Sequence, residues 1–273
     1  MLREAQHVGL WMYRQVTRLG LLSYRPTQRL FNRAYFAYKR RVEDPFHGLT
    51  QRHPEFFRDG HAIDVGANLG YTASVFANAI EPQFQVWAFE PGSENFRRLG
   101  GTIADFGLES RITPIRSAVG DSVGRVTLAI NEYHPADHRV SEGSTTLEDN
   151  DRLEQVDITT IDEVVRTRNI SPVAFIKVDV QGYELRVCHG MTRTLESNPN
   201  AVVVVEYCPS ALRQFGAAPA ELTRFFADRD YHAFRVTQRG TLEPFDATNP
   251  PEELPDSGYA DLLFSRLLPG HAA

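Results

Sequence analysis

The chain has 273 residues, 42% of them hydrophobic, and a formal net charge of −6, enough for one large α/β domain with a buried core and no obligatory second domain. Its two cysteines, Cys188 and Cys208, exclude a disulfide framework and the usual zinc-ligand spacings, so the expected setting is the reducing cytoplasm. No apolar run reaches the ~18 residues of a membrane span, and Arg3, Glu4 and His7 stand where a secretory signal needs an apolar stretch, which predicts a soluble, retained protein.

The charge is segregated. Residues 1–58 hold 11 Lys or Arg against 4 Asp or Glu, whereas residues 59–273 hold 18 against 31. Apolar residues at helical spacing (Val8, Trp11, Val16, Leu19, then Leu30, Ala34, Tyr38, Val42) predict two amphipathic helices broken near Ser23 and Pro26. This basic extension, 1–58, is expected to pack on the main domain or across a homodimer. Contact with an anionic membrane surface is the alternative its arginines allow. The acidic remainder, without an interleaved aromatic and basic groove, argues against nucleic acid. His53, Pro54 and Gly60 mark the entry to the second unit, 59–273.

That unit opens on AIDVGANLGYTA, Ala62 to Ala73, which reads as a buried strand, a glycine turn and the start of a helix running to Ala79. Gly66 permits the sharp turn and Gly70 the close approach of helix to strand. Asn68 and Tyr71 fill the places where a dinucleotide cradle carries glycine, so the ligand expected lacks a pyrophosphate. The next strand, Gln85 to Phe89, ends in Glu90, twenty residues past Gly70. A carboxylate there can accept hydrogen bonds from both ribose hydroxyls of an adenosine-type ligand.

Further along, Asn95–Phe106 reads as a helix closed by Gly107, and Arg111–Ser117 as a third strand. Two alternating strands, Arg125–Ile130 and Val156–Thr160, enclose a long polar insert with His134, His138, Ser141 and Ser144, expected to be a lid or acceptor loop. Its two histidines have metal-pair spacing, but Pro135 opposes the helix such a pair needs. A fourth strand, Ala174–Val180, places Phe175, Lys177 and Asp179 on one face. It leads through Gln181 and Gly182 into a helix reaching about Leu195. The strand Val202–Glu206, the helix Ala220–Ala227, the strand Tyr231–Val236, a proline-rich acidic loop from Thr241 and a last strand in YADLLFSR complete the chain.

DVGANLGYT, FEP, FIKVDVQGYE and VVVVEY, in that order, resemble the FkbM-type S-adenosylmethionine-dependent methyltransferases, from about His61 to Arg266. The resemblance implies a class I methyltransferase fold, with a mostly parallel seven-stranded sheet, helices on both faces and an antiparallel last strand. It also implies O-methylation of a hydroxyl on a sugar, glycan or secondary metabolite. Carried onto this sequence, the donor site comprises Asp64, Gly66, Ala67, Asn68, Gly70, Tyr71, Thr72, Glu90, Pro91, Asn95 and Asp179, with Ala118 and Val119 against the adenine.

Methyl transfer is an in-line displacement, so the protein chiefly positions the reactants and excludes water. Asp179, at a strand tip, is the first candidate general base, with Glu206 and His134 or His138 as alternates. A lysine in an apolar strand needs a partner, and Asp179 is placed to pair with Lys177. Such a carboxylate is a poorer base, which favours orienting the acceptor as its role. No metal site is assigned, although Asp179 and Glu206 have the chemistry to hold a divalent cation. An NAD-dependent oxidoreductase and a non-catalytic Rossmann-like binding subunit are the alternative readings.

Overall fold

The computed structural model describes residues 34, 36–39, 44–131, 139–141, 151–254 and 258–268. Most of the basic extension, and the insert residues His134, His138 and Ser144, lie outside this set.

Residues 34 and 36–39 are helical, and the helix that follows, α1 (Pro45–Arg52), is capped by Asp44, whose carboxylate accepts from the backbone N–H groups of Phe46 and His47. A 3₁₀ turn, Pro54–Phe57, follows. Although they precede residue 59, Phe46, Leu49, Phe56 and Phe57 all enter the core of the main domain. Phe57 stacks on Phe175 with ring centroids 4.4 Å apart.

The main sheet is built on β1 (His61–Val65). On one side it pairs in parallel with β2 (Val86–Phe89) and then β3 (Ile112–Ile115), on the other with β8 (Val173–Val178) and then β9 (Val202–Tyr207). The last strand, β12 (Ala260–Ser265), inserts antiparallel between β9 and β10 (His232–Val236). From β10 the order runs β10-β12-β9-β8-β1-β2-β3, the reversed-order doubly wound topology whose ligands sit beyond the carboxyl ends of the strands.

The expected seven-stranded sheet gains an eighth strand at one edge, and two local expectations are corrected. The start of the proline-rich loop forms β11 (Leu242–Pro244), because a left-handed turn at Gly240, closed by Thr237 and Thr241, folds it back on β10. The helix expected to run unbroken to about Leu195 is two, α5 (Glu184–His189) and α6 (Thr192–Ser197). Gly190 breaks it by packing against the Gly120 carbonyl, where a side chain would collide, and the Asp162 carboxylate caps the restarted helix through the N–H groups of Arg193 and Thr194. Finally, the strands flanking the insert leave the main sheet. β5 (Gly124–Asn131) and β7 (Asp151–Thr159) pair antiparallel and, with β4 (Ala118–Val119) and β6 (Arg139–Ser141), form a second sheet. The β6 strand comes from the insert expected to be a loop.

Between these elements lie α2 (Tyr71–Ala79), α3 (Ser93–Phe106), α4 (Ile161–Arg168), α7 (Pro209–Gln214) and α8 (Pro219–Ala227), with Gly107 closing α3 at φ +66°. Strand alternation divides β8 as expected: Phe175 joins the core layer of α1 and α2, and Ile176 and Val178 the opposite one. The second sheet lays Leu128, Val140, Val156 and Ile158 over Tyr183, as a roof above the carboxyl edge of the main sheet. Glu154 pins that roof to the rim, accepting from the Ser93 hydroxyl at 2.9 Å and from Arg116 at 2.7 Å. Among the described residues no helix is long and apolar enough to cross a membrane.

Candidate active site

Under the roof, at the carboxyl ends of β1, β2, β8 and β9, lies a cavity of about 510 Å³, within the usual range for small-molecule sites. Its first wall comes from the β1–α2 turn: Gly66, Ala67, Asn68, Tyr71 and Thr72 all line it. Gly66 has φ +84°, and any Cβ there would run into the carbonyl oxygen of Asp179. The tips of β1 and β8 touch at this point because residue 66 has no side chain. Gly70, at φ +85°, stands behind the wall, where a Cβ would meet Leu99.

Glu90 extends from the tip of β2. Its Oε2 accepts from the Asn68 N–H at 3.0 Å and its Oε1 from the Gly92 N–H at 2.9 Å, and the Asn95 side chain also bonds to it. Burial raises its pKa to about 7, against the pull of those two N–H groups. Pro91 and Asn95 continue this wall, and Ala118 and Val119 supply an apolar patch opposite Leu128 and Val140 of the roof.

The far wall carries the charge. Lys177, 3% exposed, donates to Asp179 Oδ2 at 3.0 Å and lies 3.8 Å from Asp64 Oδ1. Burial alone would lower the lysine's pKa, but the two carboxylates outweigh it and hold the group above its ordinary value. Asp64 is fully buried beneath the wall, where its Oδ2 accepts from the Thr72 hydroxyl at 2.7 Å and burial pushes its carboxyl pKa up. The Gln181 amide donates to Asp179 Oδ1 at 3.2 Å and to Glu206 Oε2 at 3.3 Å, bridging the tips of β8 and β9. Burial first, then Asp179, Glu184 and Asp261, raise Glu206 well above the usual carboxylate range.

Among the described residues no three His, Cys, Asp or Glu side chains converge as a metal set. Asp179, Glu206 and Lys177 do share one wall. His134 lies outside the described residues.

Sequence reasoning did not find Asp44, Asp261, Gln181 or Tyr259, which also line the cavity. Asp44 holds the Tyr71 hydroxyl at 2.9 Å and so joins the N-terminal segment to the site. Asp261 was detectable in principle. An antiparallel last strand starts at the edge where its parallel neighbours end, and Asp261 is the second residue of that strand.

The family described as "Methyltransferase FkbM domain" matches residues 64–233. The hexuronic acid methyltransferase AglP of Haloferax volcanii is 30% identical over 169 residues, and the match spans 60% of each protein's length. Among solved structures, the O-methyltransferase TomG of Streptomyces achromogenes, involved in tomaymycin synthesis and solved with S-adenosylmethionine, superposes with a TM-score of 0.48 at 14% identity, over 85% of this chain and 86% of that one. An O-methyltransferase from Bacillus cereus, solved with S-adenosylhomocysteine, gives 0.45 at 11% identity over 80% and 78%. With the family match covering the strands, the turn and the charged wall that build the cavity, the chain belongs to the FkbM methyltransferase family.

Proposed function

We propose that the protein is an S-adenosylmethionine-dependent O-methyltransferase acting on a hydroxyl of a sugar, glycan or secondary metabolite. The observation that carries this reading is the make-up of the cavity described above. Five carboxylates (Asp44, Glu90, Asp179, Glu206 and Asp261) and two lysines share its lining with an apolar patch, a set that fits a cationic ligand with a ribose and a flat ring.

In this reading Glu90 holds the ribose hydroxyls, the Gly66–Thr72 turn the amino-acid portion, and Ala118, Val119, Leu128 and Val140 the ring. When bound, S-adenosylmethionine supplies an electrophilic methyl group that passes to the acceptor oxygen as the sulfur departs as a thioether. The work of the chain is to align that oxygen and take up its proton. Asp179 stands at the strand tip for this, its Oδ2 fixed by Lys177 and its Oδ1 by Gln181. The roof over the cavity excludes water from the displacement.

Calorimetry with S-adenosylmethionine and with NAD, followed by transfer of a labelled methyl group to a panel of sugars, tests the proposal. Binding of S-adenosylmethionine alone and a labelled ether product are expected. Preferential binding of NAD, or donor binding without transfer to any hydroxyl acceptor, would overturn it.

A further inference from the structure

Asp261 lines the cavity with its carboxylate free of side-chain hydrogen bonds among the described residues, although Lys177 and Lys39 draw on its charge. It faces Glu206 in register across the antiparallel β9 and β12 pair, and both line the cavity. Among the described residues the Asp261 side chain makes no hydrogen bond or salt bridge. Of the two lysines whose charge reaches it, Lys177 and Lys39, Lys177 is already engaged by Asp179 at 3.0 Å and Asp64 at 3.8 Å. Burial, then repulsion from Asp179, pushes the Asp261 carboxyl up to about 7. A group held at such cost in a cavity wall is the kind selection keeps for a ligand.

The chemistry it offers is hydrogen-bond acceptance. Two carboxylates side by side, once ionised, accept from neighbouring hydroxyls or from an ammonium and repel an anion. Tyr259, two residues before Asp261, lines the same cavity and is 43% exposed, which gives a sugar ring an apolar face to rest on.

We infer that Asp261 and Glu206 are the pair that grips the acceptor, and that the acceptor is a neutral or amino sugar rather than a sugar acid. The inference rests on the methyltransferase reading of the cavity. It separates this chain from the hexuronic acid named for the Haloferax volcanii relative.

The test uses the full chain, with glucose, glucosamine and glucuronic acid as probes. Calorimetry with S-adenosylmethionine comes first, because failure of the wild type to bind it removes the underlying reading, and this inference with it. Labelled-methyl kinetics then measure kcat/KM for each probe. Glucose and glucosamine are expected to exceed glucuronic acid by about tenfold or more, the factor one lost or repelled contact produces.

Asp261→Asn should raise KM for glucose by a similar factor, narrow the discrimination against glucuronic acid and raise Tm by relieving the repulsion. Glu206→Gln should move the same quantities in the same direction and serves as the second variant. A preference of the wild type for glucuronic acid would overturn the inference. So would wild-type KM in both variants, or donor binding without turnover of any of the three sugars.

Discussion

The ammonium of Lys177 lies 3.0 Å from the carboxylate of Asp179, two residues further along the same strand. It also lies 5.9 Å from the centre of the Phe46 ring and 3.8 Å from Asp64. The pair therefore does not depend on Asp179 alone for its charge balance. This separates the chemical role of Asp179 from its structural one.

For Asp179→Asn, the expected outcome is a fall in turnover of about a hundredfold, the usual scale for loss of a general base, with donor affinity preserved. Because Asp64 stays beside Lys177, the loss of stability should stay near the ~1.5–3 kcal/mol of one charge-assisted hydrogen bond. Single-turnover kinetics alongside urea unfolding check both. Wild-type turnover in a stable variant would remove Asp179 from the chemistry.

Glu90 makes a prediction about pH. Its pKa of about 7 means that the ionised form, the better acceptor for ribose hydroxyls, fills in as pH rises through neutrality. Affinity for S-adenosylhomocysteine, which lacks the sulfonium charge, should therefore strengthen between pH 6 and pH 8. Glu90→Gln should flatten that dependence and weaken binding about tenfold or more. Titration calorimetry at several pH values reads both effects, and an unchanged slope in the variant would transfer the ribose role elsewhere.

The turn and the strand-tip carboxylates were legible because each rests on local chemistry. Gly66 has to reverse the chain, Glu90 and Asp179 end apolar strands, and a lysine at 177 demands a nearby carboxylate. Asp44 and Asp261 were harder to see because their place in the cavity depends on where distant segments dock. The capping that divides α5 from α6 depends in the same way on Asp162, 31 residues before Arg193. The roof strands show the same limit, since alternation revealed their faces but not which sheet they join.

Residues ahead of the glycine turn also carry stability. Phe57 is fully buried and stacks on Phe175, and Leu49 is fully buried in the same layer. Phe57→Ala is expected to cost about 3–5 kcal/mol and Leu49→Ala about 2–5 kcal/mol, measured by urea unfolding. A loss under about 1 kcal/mol in either would mean that α1 and the 3₁₀ turn add little to the domain. By the same packing, a chain starting at residue 59 should lose solubility, because the partners of these side chains on α2 and β8 would be uncovered.

The last prediction concerns Glu184, which is fully buried on the turn that positions Gln181. Its Oε1 accepts from the N–H groups of Val180 at 3.1 Å and Gly182 at 3.0 Å, while its Oε2 has no hydrogen-bond partner among the described residues. Burial raises its pKa from 4.5 to about 7, only partly offset by those N–H donors. The folded protein therefore holds the proton more tightly than the unfolded chain. The resulting stability is fully present below about pH 4.5 and is lost as pH rises through about 7. A shift of this size corresponds to about 3 kcal/mol. Glu90 and Asp261, raised to similar values, act in the same direction, so stability should decline from pH 5 to pH 8. Glu184→Gln keeps an amide oxygen for the two N–H groups and cannot ionise. It should gain on the wild type by about 2–3 kcal/mol between pH 5 and pH 8, as urea unfolding across that range would show. If the two proteins lose stability in parallel, Glu184 is already ionised at pH 5 and the turn is held by a carboxylate throughout.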